Sequence, residues 1–104
     1  MNHYEVLITD EALTDMEEIY RYIAHELESP TVAMRIYSCI ADAVQSLESM
    51  PARFQAMLSE PEHSRGLRRM LVDSYSAFYV IKENAVIVTN VLYSASDIEA
   101  RLRK

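Results

Sequence analysis

The 104-residue sequence predicts an α+β fold, in which a small, mostly antiparallel sheet is packed by an N-terminal helical hairpin and followed by a short C-terminal helix. Three observations predict it. A short run of strand period opens the chain, two stretches of helical period follow up to residue 50, and the period returns to two between residues 66 and 93. At this length a single domain, residues 1–104, is expected.

Tyr4, Val6 and Ile8 alternate with Glu5 and Leu7, and Thr9-Asp10 then offers two side chains able to cap a helix. Ala12, Met16, Ile19, Tyr20, Ile23 and Leu27 recur at helical steps, with the acidic Asp15, Glu17 and Glu18 on the remaining faces. Ser29-Pro30 reads as a restart, with Ser as the N-cap and Pro at the first helical position, where its missing N–H costs nothing. Ala33, Ile36, Tyr37, Ile40, Ala43, Val44 and Leu47 keep the same spacing until Met50-Pro51 stops it, so the two helices form a short-linked hairpin. Residues 51–64 have no consistent period and read as a loop.

Residues 66–72, 75–82 and 85–93 are rich in Val, Ile, Leu and aromatics. Asp73-Ser74 and Glu83-Asn84 join them as tight turns, which makes a three-strand meander. Ser96 ahead of Asp97-Ile98-Glu99 has the spacing of a capping box, and Ile98 and Leu102 give the last helix its apolar side.

Half of the residues are hydrophobic and a quarter are charged, with one Gly and three Pro, a globular balance that leaves little room for flexible linkers. No apolar run approaches the roughly 20 residues of a membrane helix, and the N-terminus is acidic where a signal peptide is basic, so a cytoplasmic protein without membrane contact is expected. Cys39, the only cysteine, is expected to be a buried small hydrophobe, and the methionines are expected to fill gaps in the core or at its edge. His3, His25 and His63 have no second ligand at metal spacing, so no metal and no cofactor are expected. Residues 1–50 carry ten acidic and two basic side chains, whereas residues 51–104 carry six acidic and eight basic. The formal net charge of -6 argues against general nucleic-acid affinity and favours protein partners.

The stretch RGLRRMLVDSYSAFYVI crowds Arg65, Arg68 and Arg69 next to Tyr75, Phe78 and Tyr79, and Tyr93 and Arg101 follow further on. Arg68 and Arg69 are strand neighbours and point to opposite faces, so at most one shares a face with Leu67 and Leu71. Two readings stay open for these residues. The arginines either defend an edge strand or offer bidentate contacts to a partner, and the tyrosines either fill the core or line a binding groove. A sheet covered by helices on one face would leave its other face for that partner.

The order of elements, with RGLRRMLVDSYSAFYVI and VIVTNVLYSASDIEARL as its most specific wording, resembles the RelE/ParE superfamily of toxins from bacterial type II toxin–antitoxin modules. The chain is more similar to the ParE-like branch, whose members poison DNA gyrase, than to the RelE-like branch, whose members cut messenger RNA on the ribosome. The positions where the ribonucleases carry their basic and catalytic groups read Tyr75-Ser76-Ala77 and Tyr93-Ser94-Ala95-Ser96 here. RNA cleavage needs a proton acceptor, positive charge at the phosphorus and a donor for the leaving oxygen, and no evident set is present. ParE-like toxins often carry two arginines where this chain has Ala95-Ser96, and Arg101, Arg103 and Lys104 are the nearest replacements.

The resemblance implies a toxin that acts by occupancy, most directly on gyrase, and is neutralised by a cognate antitoxin as a hetero-oligomer, with a homodimer as the other assembly. Arg65, Arg68, Arg69, Tyr75, Tyr79, Tyr93 and Arg101 are the binding candidates. A metal-independent, ribosome-dependent endoribonuclease and a degenerate member that keeps only antitoxin binding are the alternatives.

Overall fold

The computed structural model describes residues 3–103. Strand β1 (Glu5–Ile8) leads into helix α1 (Asp10–Arg21), which continues through a π-helical turn (Tyr22–Glu26). Helix α2 (Pro30–Gln45), strands β2 (Arg68–Val72), β3 (Tyr75–Lys82) and β4 (Ala85–Tyr93), and helix α3 (Ile98–Leu102) complete the order. The sheet runs β1-β4-β3-β2, with β1 parallel to β4 and the other pairs antiparallel. The fold is therefore α+β with a four-stranded mixed sheet, as the periodicity predicts.

Thr9 caps α1, accepting the Ala12 N–H on its hydroxyl at 3.1 Å. Ala12, Met16 and Ile23 from the first helical segment meet Ala33, Ile36, Ile40 and Val44 from α2, and this layer covers Met70, Ala77, Tyr79, Val86, Val88 and Val91 of the sheet. Ser29 caps α2 through its backbone carbonyl, which accepts from Ala33, rather than through its side chain. Helix α2 stops earlier than Pro51 suggests, tightening into a 3₁₀ turn (Ser46–Glu48) before Met50 turns the chain with left-handed backbone.

Strand β4 holds the main irregularity. Phe78 pairs with Asn90 and Tyr79 with Val88, so Thr89 is an extra residue, a β-bulge. The bulge inverts the alternation of β4. Val86 and Val88 face the helices before it, whereas Val91 faces them after it. Helix α1 binds the disturbed backbone: the Thr9 hydroxyl donates to the Thr89 carbonyl at 3.2 Å, and the Asp15 carboxylate accepts the Val91 N–H at 2.9 Å.

The second face of the sheet is not bare, and here the structure corrects the sequence reading. Phe78 and Leu92 are buried there under Leu67, Ile98, Met57 and Leu102, contributed by the preceding loop and by α3. The loop also pairs with part of the β2 edge, through Met57 N–H to the Leu67 carbonyl and Arg69 N–H to the Gln55 carbonyl. Strand β2 begins at Arg68 rather than Gly66, because Gly66 has a φ of 75° and lies outside the extended region. Helix α3 is capped by Asp97, which accepts from the Ala100 N–H, while Ser96 donates to the Tyr93 carbonyl instead of forming the expected box.

Cys39 is exposed, because α2 buries residues 33, 36, 40 and 44 and position 39 falls off that stripe. Met16 and Met70 are buried as expected, but Met34 and Met50 are exposed, so these two fill no gap. No helix among the described residues is long and apolar enough to cross a membrane.

A fully buried carboxylate fastens α3. Glu62 accepts from Arg103 through Nη2 at 2.9 Å and Nε at 3.0 Å, and from the Ser59 hydroxyl at 2.9 Å. The Arg103 guanidinium holds the Glu62 pKa at about 2, below its ordinary 4.5. A depressed folded-state pKa stabilises the fold above the unfolded value and loses that contribution as the pH falls through the folded one. Thermal melting should therefore show a decline between pH 4.5 and about 2 that is shallower in Glu62→Gln.

Candidate functional site

The seven candidate residues separate into four places. Arg68 points inward along the edge of the helix-side core, where its Nη1 donates to the Phe54 carbonyl at 2.7 Å and the Ala52 carbonyl at 3.3 Å. Tyr79 lies fully buried beside it and donates its hydroxyl to the Pro51 carbonyl. Burial raises the Tyr79 pKa, and the nearby Arg68 and Arg53 offset part of that rise. Together Arg68 and Tyr79 satisfy three backbone carbonyls of a segment that has little regular structure of its own. Their geometry is that of an anchor.

Arg69 projects to the opposite face, as strand alternation requires. Its Nε donates to the buried Ser76 hydroxyl at 2.9 Å, which meets the Ser94 hydroxyl at 2.8 Å, and its guanidinium carbon lies 5.7 Å from the Phe78 ring centroid. The guanidinium forms one wall of a groove of about 600 Å³, with Met57, Leu58, Leu71 and Glu99 around it. Leu58 and Leu71 are 79% and 66% exposed, so this groove pairs a cation with accessible apolar surface.

Tyr75 and Tyr93 occupy a third place, at the end of the sheet beyond the bulge. Their ring centroids are 5.7 Å apart at an interplanar angle of 60°. With Ile19, Tyr22, Leu27 and Val91 they line a cleft of about 540 Å³, and Asp15, Glu18 and Arg101 supply its charges. Burial raises the Tyr75 pKa, with further contributions from Tyr93, Asp73 and Tyr22. Asp15 is raised by burial too, against the opposing pull of the Val91 N–H and the Arg101 charge. Arg65 stands apart, exposed in the turn before β2, on a polar groove shared with Thr9, Glu11 and Thr89.

The structure thus brings Tyr75, Tyr93 and Arg101 together, and Arg68 with Tyr79, but separates Arg69 and Arg65 from both groups. Asp15 and Glu62 escaped the sequence reading, Asp15 as part of a solvated acidic face and Glu62 inside a loop without period. A signal for Asp15 existed, since it lies three residues after Ala12 and four before Ile19 and so borders the buried stripe. Tyr22 lines a cleft built by the π-helical turn, which apolar spacing does not reveal, and Leu27, which that spacing assigns to the apolar stripe of the first helix, is instead exposed on the same cleft. Lys104, considered as a replacement charge, lies outside the described residues.

This architecture, a helical hairpin on a β1-β4-β3-β2 sheet with a short closing helix, defines the fold class of RelE- and ParE-like toxins. Among solved structures, the chromosomal ParDE toxin–antitoxin system from P. aeruginosa is similar, with a TM-score of 0.73 and 20% identity over 88% of this chain and 96% of that one. The RelBE2 toxin–antitoxin complex from Mycobacterium tuberculosis is similar with a TM-score of 0.68 and 20% identity over 92% and 97% of the two chains. A conserved hypothetical protein from Helicobacter pylori has a TM-score of 0.55 at 9% identity, over 89% and 97%. No curated protein matches the chain. Residues 6–98 match the family described as the ParE toxin of the type II toxin–antitoxin system parDE, and the chain belongs to that family.

Removing the Tyr79 hydroxyl leaves the Pro51 carbonyl without its partner in a dry environment. Tyr79→Phe should lower unfolding free energy by about 1–2 kcal/mol in urea titrations. A variant unchanged in stability would show that the hydroxyl is not an anchor.

Proposed function

We propose that this ParE toxin inhibits growth by occupying a target protein, DNA gyrase, and that a cognate antitoxin neutralises it by binding the same chain. The family match over residues 6–98 supports the general class. One geometric observation favours binding over RNA cleavage. Arg69, which borders the exposed Leu58 and Leu71, lies on the face of the sheet opposite Tyr75 and Tyr93; Arg101, which shares the cleft of those tyrosines, stands with the Asp15 and Glu18 carboxylates, whose charge disfavours a phosphate; and the Tyr79 hydroxyl is already committed to Pro51. Cleavage through a 2′-hydroxyl requires a proton acceptor and a phosphate-stabilising cation around one phosphorus atom. The groove at Arg69 instead offers a guanidinium bordered by Leu58 and Leu71, a combination suited to a protein partner carrying a carboxylate among apolar side chains.

The antitoxin assignment is supported by the structural neighbours, two of which are described as toxin–antitoxin systems. Induction of the chain without antitoxin, followed by pulse-labelling, tests the target. DNA synthesis should fall before protein synthesis, and Arg69→Ala should delay that fall and weaken recovery of gyrase in a pull-down. Early arrest of protein synthesis with transcripts cut within codons would instead establish ribosome-dependent cleavage.

A further inference from the structure

The cleft between α1, the π-helical turn and the end of β4 combines three properties not used above. Its floor is apolar, with Ile19 and Val91, while Tyr22, Tyr75 and Tyr93 stand around it as three aromatic rings. Its charge is acidic on the α1 side, where Glu18 is exposed and has no cation within 4.0 Å among the described residues. Asp15 is half-buried, uses Oδ2 to hold the Val91 N–H, has the Asn90 side chain beside it, and lines both the cleft and its neighbour groove. Arg101 balances one of the two carboxylates.

Tyrosine faces attract cations, carboxylates add to that attraction, and a partly dry cleft strengthens both. Tyr22 and Tyr93 are each more than half exposed, so the rings are accessible from solvent.

We propose that this cleft is a docking site for a partner polypeptide that inserts a lysine or arginine side chain between the tyrosines and the Asp15–Glu18 carboxylates, with a neighbouring aliphatic side chain on the Ile19–Val91 floor. Charge complementarity selects this occupant. An acidic segment would face Glu18 unpaired, and a purely apolar one would leave Glu18 partly desolvated without a partner. A cation with a long aliphatic stem satisfies both parts of the cleft, since its stem covers apolar surface while its head reaches the acids. The site lies on the opposite side of the sheet from the Arg69 groove and does not depend on gyrase being the target.

The test uses the full chain and three blocked peptides, acetyl-Leu-Lys-Leu-amide, its norleucine counterpart and its glutamate counterpart, followed by backbone amide NMR. The lysine peptide should shift resonances of residues 15, 18, 22, 75 and 91–93 and bind about fivefold or more tightly than the norleucine peptide. The glutamate peptide should bind more weakly still, and Glu18→Gln, an exposed change that leaves the fold intact, should remove most of the preference for lysine. Equal binding of the lysine and norleucine peptides, shifts outside the cleft or no shifts at all would overturn the proposal. A growth assay that refuted gyrase as the target would leave these outcomes unaltered, so the two readings fail separately.

Discussion

The bulge at Thr89 is the constraint on which the arrangement of this molecule depends. A regular β4 would continue the alternation of Val86 and Val88, placing Asn90 and Leu92 under the helices and turning Val91 and Tyr93 outward. The extra residue reverses this. Val91 joins the helix-side core, Leu92 enters the second cluster with Phe78 and Ile98, and Tyr93 comes beside Tyr75. Each surface described above lies downstream of that inversion: the tyrosine cleft directly, and the Arg69 groove through the Leu92–Ile98 contact that seats α3.

A bulge leaves backbone groups without ladder partners, and burying them unpaired would be costly. Helix α1 supplies the partners from two successive turns of its sequence. Thr9 accepts from Ala12 at the helix start while donating to the Thr89 carbonyl, so one hydroxyl ends the helix and pins the strand. Asp15 takes the Val91 N–H and is thereby drawn out of the solvated acidic face into a half-buried position. The same carboxylate that completes the sheet then forms a wall of the cleft. Folding and binding surface share this residue, which explains why an acidic side chain occupies the border of an apolar stripe.

Element type and order were legible in the sequence because helix and strand periods differ sharply. Strands β2 and β3 end where the turn pairs Asp73-Ser74 and Glu83-Asn84 place them, and the first helix starts at its Thr cap. The bulge also left a trace, since two polar residues, Thr89 and Asn90, separate Val88 from Val91 where strict alternation allows one. What periodicity could not show was the second face. Residues 51–64 carry no period, yet Pro51 supplies the acceptor for Tyr79, Met57 covers Phe78, and Glu62 holds Arg103. Such contacts join residues 21 to 41 positions apart and depend on chain closure rather than local pattern.

The two neighbouring arginines show how that closure divides chemistry that looks uniform in sequence. Alternation alone sends Arg68 and Arg69 to opposite faces, but only the surroundings decide their use. Arg68 meets the carbonyls of a segment that needs donors, and its charge is consumed in holding the loop against β2. Arg69 meets the buried Ser76 hydroxyl, itself paired with the half-buried Ser94, through one nitrogen, which fixes the guanidinium without enclosing it, and its remaining donors border exposed leucines. A rigidly held arginine loses less side-chain entropy on meeting a partner than a freely rotating one. The Ser76–Ser94 pair therefore acts as a mount for a binding group. In a chain whose first half is strongly acidic, such mounted positive charge on one face and the acidic aromatic cleft on the other give two surfaces of opposite character, so one partner cannot satisfy both with a single charge type.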